Sequence, residues 1–214
     1  MAGLMILRHA ERSRISNLHD VLHARITKRG KESAKALGKR MSKFFKDESI
    51  NVMASQLDRC KETAKAFASG YGKSAKYMGT EQKGTLSYLF PGMSEYINLE
   101  GFCESRLSEI YGSVINTVPR MFEHDYAGTI GRWLDGEFNN MMISPIDMYQ
   151  DLLHLAGRSE GKAFLLFASD VQVSMMGAIH GMQELVERRP EYLHGIWTED
   201  RWKEKWKVFC PNKI

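Results

Sequence analysis

Proline, cysteine and long apolar runs are all scarce in this sequence of 214 residues. Only five prolines and three cysteines occur, and Cys60, Cys103 and Cys210 stand far apart along the chain. Their odd number and wide spacing fit neither a disulfide framework nor a zinc-binding pattern. We therefore expect a reducing, cytoplasmic setting, no bound metal and no cofactor.

Membrane and secretory segments are not expected from the apolar pattern. No apolar run approaches the roughly 20 residues that a membrane-spanning helix needs. The apolar stretch nearest the N-terminus, Leu4 to Leu7, is followed at once by Arg8 and His9. A secretory signal needs an apolar region of roughly 7–15 residues, so this stretch predicts no signal and no membrane partner.

Composition and charge are those of an ordinary globular domain. The chain is 43% hydrophobic and 26% charged, which at this length predicts one domain over residues 1–214. The formal net charge of +4 is mildly basic, but basic and acidic residues are intermixed as on a solvated surface. We expect no nucleic-acid partner, because a small anionic substrate needs only a local basic pocket. The oligomeric state is not predicted.

Short apolar runs alternate with amphipathic segments along most of the chain. Strands are predicted at residues 3–7, 51–54 and 163–168, and helices at 34–45, at 58–68 with Asp58 as N-cap, from Pro145 and from about Gln172. This alternation predicts an α/β three-layer sandwich with a mainly parallel sheet and helices on both faces. Residues 70–144 show little periodicity, and we predict an irregular or helical cap insertion there.

Polar residues directly follow three of the predicted strands. These junctions are Arg8-His9, Ser55 to Arg59, and Ser169-Asp170. Ligands of parallel α/β sheets collect at the carboxyl ends of the strands, so the three junctions are expected to converge. Arginine offers a planar fork of donors for phosphate oxygens, and a neutral imidazole nitrogen can attack phosphorus. The pattern therefore favours a phosphate site built around His9.

Four segments of the sequence resemble the histidine phosphatase superfamily, which includes phosphoglycerate mutases, acid phosphatases and phytases. Leu-Arg-His-Ala-Glu-Arg (7–12) resembles the Arg-His-Gly/Ala signature of that family. Ile-Thr-Lys-Arg-Gly (26–30), leading into Ala-Leu-Gly (36–38), is similar to its Leu-Thr-x-x-Gly stretch. Residues 55–64 resemble its Ser-x-x-x-Arg-x-x-x-Thr-Ala segment, and a fourth match lies near 163–179. Together these matches cover roughly half of the chain.

The resemblance implies roles for individual residues. His9 corresponds to the nucleophile that forms a phosphohistidine, and Arg8, Arg12 and Arg59 correspond to the phosphate ligands. Asp170 matches the aspartate that protonates the leaving group in the acid-phosphatase branch. Another branch keeps its acid in the cap, where Glu95, Glu100 and Glu104 lie here, although each of these is better explained as a surface glutamate.

One position departs from the family pattern. Family members carry a second histidine after the late strand, and Ser169 stands at that place. Serine offers one hydroxyl hydrogen bond and no positive charge; loss of one transition-state donor costs about 10²–10³ in rate. Three explanations stay open: an active variant in which serine or another group such as His180 compensates, a degenerate binding protein, or a substitution that traps a ligand.

The sequence therefore predicts a phosphohydrolase that removes a phosphoryl group from a phosphorylated small molecule through a phosphohistidine. Ser169 is expected to donate a fourth contact to the phosphate. The alternatives are a catalytically impaired phospho-ligand-binding protein, a phosphatase substituted at the second histidine, and a phosphomutase.

Overall fold

The computed structural model of the protein describes residues 3–14, 23–46, 48–80, 122–137, 144–159, 162–199 and 205–213. Within these residues a six-stranded sheet has the order β3-β2-β4-β1-β5-β6. The strands are β1 (Leu4–Arg8), β2 (Ile50–Ala54), β3 (Ala75–Thr80), β4 (Ala163–Ala168), β5 (Gly195–Thr198) and β6 (Lys207–Phe209). The first four run parallel, whereas β5 is antiparallel to β1 and to β6.

Strands β1 and β4 form the centre of the sheet. They pair in parallel from Leu4 opposite Phe164 to Arg8 opposite Ala168. Every residue of β1 is buried, and so is every residue of β4 after Ala163. Strands that are covered on both faces carry apolar residues on both faces, which explains the continuous apolar runs of β1 and β4. The predicted α/β class with a mainly parallel sheet is confirmed.

Helices pack in two groups around this sheet. The described helices are α1 (Lys28–Phe44), α2 (Asp58–Tyr71), α3 (Tyr126–Leu134), α4 (Pro145–Gly157), α5 (Asp170–Ile179) and α6 (Glu184–Glu187). Helix α1 packs on α2, while α5 contacts α3, α4 and α6. Among these described helices, none combines the length and the apolar character that crossing a bilayer requires.

The structure corrects three local expectations. Residues Ala75–Thr80 form an edge strand paired with β2, so the sheet extends beyond Gly70, where we placed the start of the cap. Asp58 is the first residue of α2 rather than its N-cap; Leu57 occupies the cap position without a side-chain bond. Helix α5 begins at Asp170, two residues before the predicted start. Residues 81–121 lie outside the described part of the chain, and the cap there stays a prediction.

Helices α1 and α2 approach each other closely because glycine stands at their contact. A Cβ atom at Gly38 would collide with the carbonyl oxygen of Phe67, and one at Gly70 would collide with that of Lys35. Both obstacles are backbone atoms, which cannot rotate away. The short α1–α2 distance thus depends on these two residues.

We predict that Gly38→Ala destabilises the protein by about 1–3 kcal/mol, as overpacking in a close-packed core does. The matched control is Gly131→Ala in α3, where an added Cβ meets no atom within 4 Å. There the better helix propensity of alanine should leave stability unchanged or raise it by up to about 1 kcal/mol. Urea denaturation of both variants measures the difference; equal stabilities would contradict the packing explanation.

Candidate active site

Three strand ends bring the predicted junctions together at one edge of the sheet. The backbone N–H of His9 donates to the carbonyl of Ala168 at 2.9 Å, and that of Ser55 donates to Phe167 at 2.9 Å. His9 and Ser169 therefore follow directly after paired residues of neighbouring strands. Through these backbone bonds the ends of β1, β2 and β4 lie side by side, as the sequence predicts.

His9 lies at the centre of this edge and is 1% exposed. Its Nε2 lies 3.1 Å from Nε of Arg59, and its Nδ1 lies 2.8 Å from the carbonyl oxygen of Ala10. An arginine N–H can only donate, so Nε2 must be the acceptor. The proton is thereby assigned to Nδ1, which donates to Ala10. The imidazole is neutral, with its lone pair on Nε2.

The electrostatics of the site keep His9 in this neutral form. Burial is the largest cause that lowers the pKa of His9 well below its ordinary value, and the charges of Arg59 and Arg8 act in the same direction. An imidazolium here would be both desolvated and repelled by its neighbours. A nucleophilic lone pair is therefore available even at mildly acidic pH.

Arg59 is positioned by the first turn of α2. The side-chain hydroxyl of Thr63 donates to the carbonyl of Arg59 at 2.6 Å and accepts from the backbone N–H of Ala10 at 3.0 Å. This threonine ties the start of α2 to the loop that carries His9. The Arg-x-x-x-Thr spacing seen in the sequence thus fixes Arg59 against the imidazole.

Arg8 is buried on the other side of the site. Its Nη1 donates to the carbonyl of Pro190, its Nη2 lies 3.6 Å from Asp170 Oδ2, and its guanidinium lies 4.3 Å from the ring centroid of Tyr192. Among the described residues, its buried Nε has no hydrogen-bond partner. Buried donors are nearly always satisfied, so this N–H is available to an acceptor that enters the site.

Arg12 is less enclosed and lies at the edge of the site. Its side chain donates to the carbonyl of Ser13 at 2.8 Å, and its residue pairs with Ile26 in an isolated antiparallel bridge. Burial lowers the pKa of Arg12, and the charges of Arg8 and Arg189 lower it further. Asp170 and Tyr192 oppose this effect. Arg12 therefore shares one electrostatic environment with the other arginines.

Ser169 has a structural role at the start of α5. Its Oγ accepts from the backbone N–H of Gln172 at 3.3 Å, which caps the helix, and the residue is 3% exposed. The adjacent Asp170 contacts two cations through the same oxygen: Arg8 at 3.6 Å and Arg189 at 3.3 Å. Within the described residues, two arginines at this edge of the sheet thus contact one carboxylate, and Arg12 and Arg59 lie at the same edge.

Two further residues at the site, Arg189 and Tyr192, were not predicted from the sequence; both come from the segment between α6 and β5. Neither belongs to a motif, and the segment follows no parallel strand. Arg189 reaches the site because α5 and α6 fold back beside each other, with Ser174 of α5 bonded to the carbonyl of Leu185. That long-range contact leaves no pattern in the sequence.

Other candidate residues lie elsewhere or remain untested. His180 sits at the opposite end of α5 from Ser169, stacked on Trp206 with centroids 4.5 Å apart, so it does not replace the missing histidine. Burial raises the pKa of the Cys60 thiol to about 11, which disfavours a reactive thiolate. Glu95, Glu100 and Glu104 lie outside the described residues. No group of metal-ligating side chains clusters within the described ranges.

The state of His9 makes a prediction about stability. In the unfolded chain a histidine takes up its proton near pH 6.5, but buried His9 does not. As the pH falls below about 6.5, the unfolded state binds more protons, and the free energy of unfolding decreases by up to about 1.4 kcal/mol per pH unit for this one group. His9→Gln should remove that component and flatten the dependence between pH 6.5 and 5.

Urea denaturation at several pH values measures this effect in both proteins. His180 and His194, whose pKa values are also lowered by burial, are present in both and cancel in the comparison. Identical pH dependence in the wild type and in His9→Gln would contradict the neutral buried imidazole.

Comparison with known proteins agrees with this geometry. Residues 4–79 match the model of the histidine phosphatase superfamily, branch 1. That range contains His9 and the three arginines predicted from the motifs. Among curated proteins, none matches the sequence significantly.

Solved structures share the fold over nearly the whole chain. A phosphoserine phosphatase of Entamoeba histolytica in complex with 3-phosphoglyceric acid is 18% identical, with a TM-score of 0.53, covering 98% of this chain and 96% of that one. YhfR of Bacillus stearothermophilus is 17% identical, with a TM-score of 0.55 and coverages of 96% and 94%. A mycobacterial glucosyl-3-phosphoglycerate phosphatase is 12% identical, with a TM-score of 0.52 and coverages of 96% and 96%. The resemblance found in the sequence is therefore confirmed: residues 4–79 match the histidine phosphatase superfamily model, and solved structures share the fold over nearly the whole chain.

Proposed function

We propose that this protein hydrolyses a phosphomonoester of a small molecule through a phosphohistidine on His9. The observation that carries the proposal is the state of His9, a neutral imidazole whose Nε2 accepts from Arg59 among further arginines. An unprotonated nucleophile beside several cations suits attack on a phosphate dianion, whose charge would otherwise repel the lone pair.

In the proposed complex the phosphoryl oxygens lie between Arg8, Arg12 and Arg59. The partnerless Nε of Arg8 gives one of these contacts a donor that is already desolvated. Arg59 exchanges its bond with His9 for a phosphate oxygen, which frees the Nε2 lone pair. The arginines then neutralise the charge that spreads over the phosphoryl oxygens during transfer.

In the first step His9 Nε2 forms a bond to phosphorus while the bond between phosphorus and the ester oxygen breaks. Asp170 is the proposed proton donor to the departing oxygen. In the protein without substrate, its Oδ2 is paired with Arg8 and Arg189. A bound phosphate competes for those guanidinium groups, which releases the carboxyl group of Asp170 from its ion pairs and lets it pass a proton to the departing oxygen.

In the second step water attacks the phosphorus of the phosphohistidine. Asp170, now ionised, accepts a proton from that water, the bond between Nε2 and phosphorus breaks, and inorganic phosphate leaves. His9 returns to its neutral form with the proton still on Nδ1, because Ala10 holds that nitrogen throughout. No step of the proposed reaction uses a metal or a cofactor. We also propose that the protein has no nucleic-acid or membrane partner and that it lies in the cytoplasm.

The substrate class is supported by the relatives and by the proposed cap. Several solved structures that share this fold are phosphatases, among them a phosphoserine phosphatase and a glucosyl-3-phosphoglycerate phosphatase. We propose that residues 81–121, together with the helix that begins at Tyr126, set specificity for a phosphorylated metabolite.

A second candidate function rests on Ser169. Its hydroxyl already caps α5, so it is engaged by the backbone and brings no charge to the site. This observation favours a protein that binds a phosphorylated ligand and turns it over slowly or not at all. The two functions differ in one measurable quantity, namely release of inorganic phosphate.

We predict that His9→Ala lowers kcat/KM for p-nitrophenyl phosphate by at least about 10³-fold, because it removes the nucleophile. His154→Ala is the matched control, since His154 is exposed on α4 and bonds only to Arg158 among the described residues. That variant should keep wild-type activity. Near-normal turnover by folded His9→Ala would exclude His9 as the nucleophile.

Phosphate release from a panel of sugar, nucleotide and lipid phosphates separates the candidate functions. Release by the wild type supports hydrolysis, whereas saturable binding without release supports the ligand-binding alternative. A product that retains phosphate at another position would indicate a mutase.

A further inference from the structure

Arg189 shares the carboxylate at the centre of the site. Its Nε lies 3.3 Å from Asp170 Oδ2, the same oxygen that Arg8 contacts at 3.6 Å. Asp170 directly follows Ser169 at the start of α5. Arg189 therefore brings a positive charge to the side of the site that Ser169 occupies.

The guanidinium of Arg189 is held in place from two further directions. It lies 4.7 Å from the ring centroid of Tyr126, and its Nη2 donates to the carbonyl of Phe122 at 2.9 Å. The side chain is nevertheless 40% exposed. A guanidinium that is oriented on one side and open on the other can accept a ligand with little loss of freedom.

Ser169 cannot supply the same interaction. Its hydroxyl oxygen is bonded to the backbone of α5, and the residue is almost fully buried. Among the described residues, the ion pairs of Asp170 are with Arg8 and Arg189, and Arg8 is buried. The described positive charge next to Asp170 that is open to solvent thus comes from Arg189.

We propose that Arg189 is a phosphate ligand that binds the transferred phosphoryl group on the Ser169 side. In doing so it takes over the charged contact that a histidine after β4 would make. The proposal rests on the proposed function, because it concerns the same phosphoryl group. When the substrate binds, Arg189 moves its contact from Asp170 to a phosphate oxygen.

The electrostatics of Arg12 support this placement. Burial is the largest cause that lowers the pKa of Arg12, and the charges of Arg8 and Arg189 lower it further. Tyr192 and Asp170 oppose this effect. Burial also lowers the pKa of Arg59, and the charges of Arg12 and Arg8 lower it further. Repulsion therefore links all four arginines. A dianion relieves that repulsion, and removal of any one arginine should weaken its binding.

The first test is Arg189→Ala with Arg188→Ala as the matched control. Arg188 is the neighbouring residue, carries the same charge and is exposed, with no ion pair among the described residues. We expect Arg189→Ala to lower kcat/KM for p-nitrophenyl phosphate by about 10²–10³-fold, as loss of one transition-state donor does. It should also raise the inhibition constant for inorganic phosphate, whereas Arg188→Ala should change neither value by more than about twofold.

A structural role of Arg189 needs to be distinguished from ligand binding. Arg189 also ties the segment with Tyr192 to Asp170, so its loss could displace that segment. The variant Ser169→His provides a measurement that a purely structural role of Arg189 would not affect. If Arg189 supplies the missing charge, Ser169→His alone should change kcat/KM by less than about tenfold, and Ser169→His/Arg189→Ala should recover at least about tenfold over Arg189→Ala.

Two results would overturn the proposal. One is a gain of about 10²–10³-fold from Ser169→His while Arg189 is present, because the contact would then be vacant in the wild type. The other is equal activity and phosphate inhibition in Arg189→Ala and Arg188→Ala. Arg189→Lys adds a check on folding, since it keeps the charge and should retain part of the activity.

The experiment separates this proposal from the proposed function. If the wild type hydrolyses p-nitrophenyl phosphate and the two arginine variants behave alike, the assignment of Arg189 alone is wrong. If the wild type shows no turnover but binds inorganic phosphate in calorimetry, the Kd of Arg189→Ala against that of Arg188→Ala decides the assignment. If the wild type neither turns over substrate nor binds phosphate, both proposals are wrong.

Discussion

Repulsion among four arginines around one carboxylate is the constraint on which the site depends. Arg8 and Arg59 are buried, Arg12 and Arg189 are partly exposed, and Asp170 is the carboxylate that contacts two of them. Burying like charges together is costly unless an anion accompanies them. Under the proposed function a phosphate dianion completes this arrangement. Burial, together with the charges of Arg59, Arg8 and Arg12, keeps His9 neutral.

The sheet supplies the rigid frame that such an arrangement needs. Strands β1 and β4 are paired from Leu4 opposite Phe164 to Arg8 opposite Ala168, and they place His9 and Ser169 at neighbouring positions. Helix α2 adds Arg59 through the bonds of Thr63, while the segment after α6 adds Arg189 and Tyr192. Catalytic groups held by paired strands and helix termini keep their geometry better than groups on free loops.

Most of the frame and half of the site could be predicted from the sequence. The apolar runs of β1 and β4 are buried on both faces, and such runs are the clearest strand signals; the arginines next to them follow recognisable spacings. Strand β3 was not predicted because its six residues are all partly buried or exposed, as in an edge strand, so it lacks a continuous apolar run. Arg189 was not predicted as a site residue because only the packing of α5 against α6 brings it to Asp170. Packing between distant segments leaves no local pattern in the sequence. The Ser169 capping bond is likewise visible only once the start of α5 is known.

The linkage of the phosphoryl group to His9 tests the central claim most directly. Nδ1 is assigned its proton by the bond to Ala10, so phosphorus can be attached only at Nε2. Wild-type protein mixed with p-nitrophenyl phosphate and quenched in alkali, where phosphohistidine persists, can be examined by ³¹P NMR and by mass spectrometry of its peptides. We predict one phosphoryl group on His9, attached at Nε2, and none in His9→Ala. Attachment at Nδ1, or phosphate release with no phosphoryl group on His9 at any reaction time, would contradict the account.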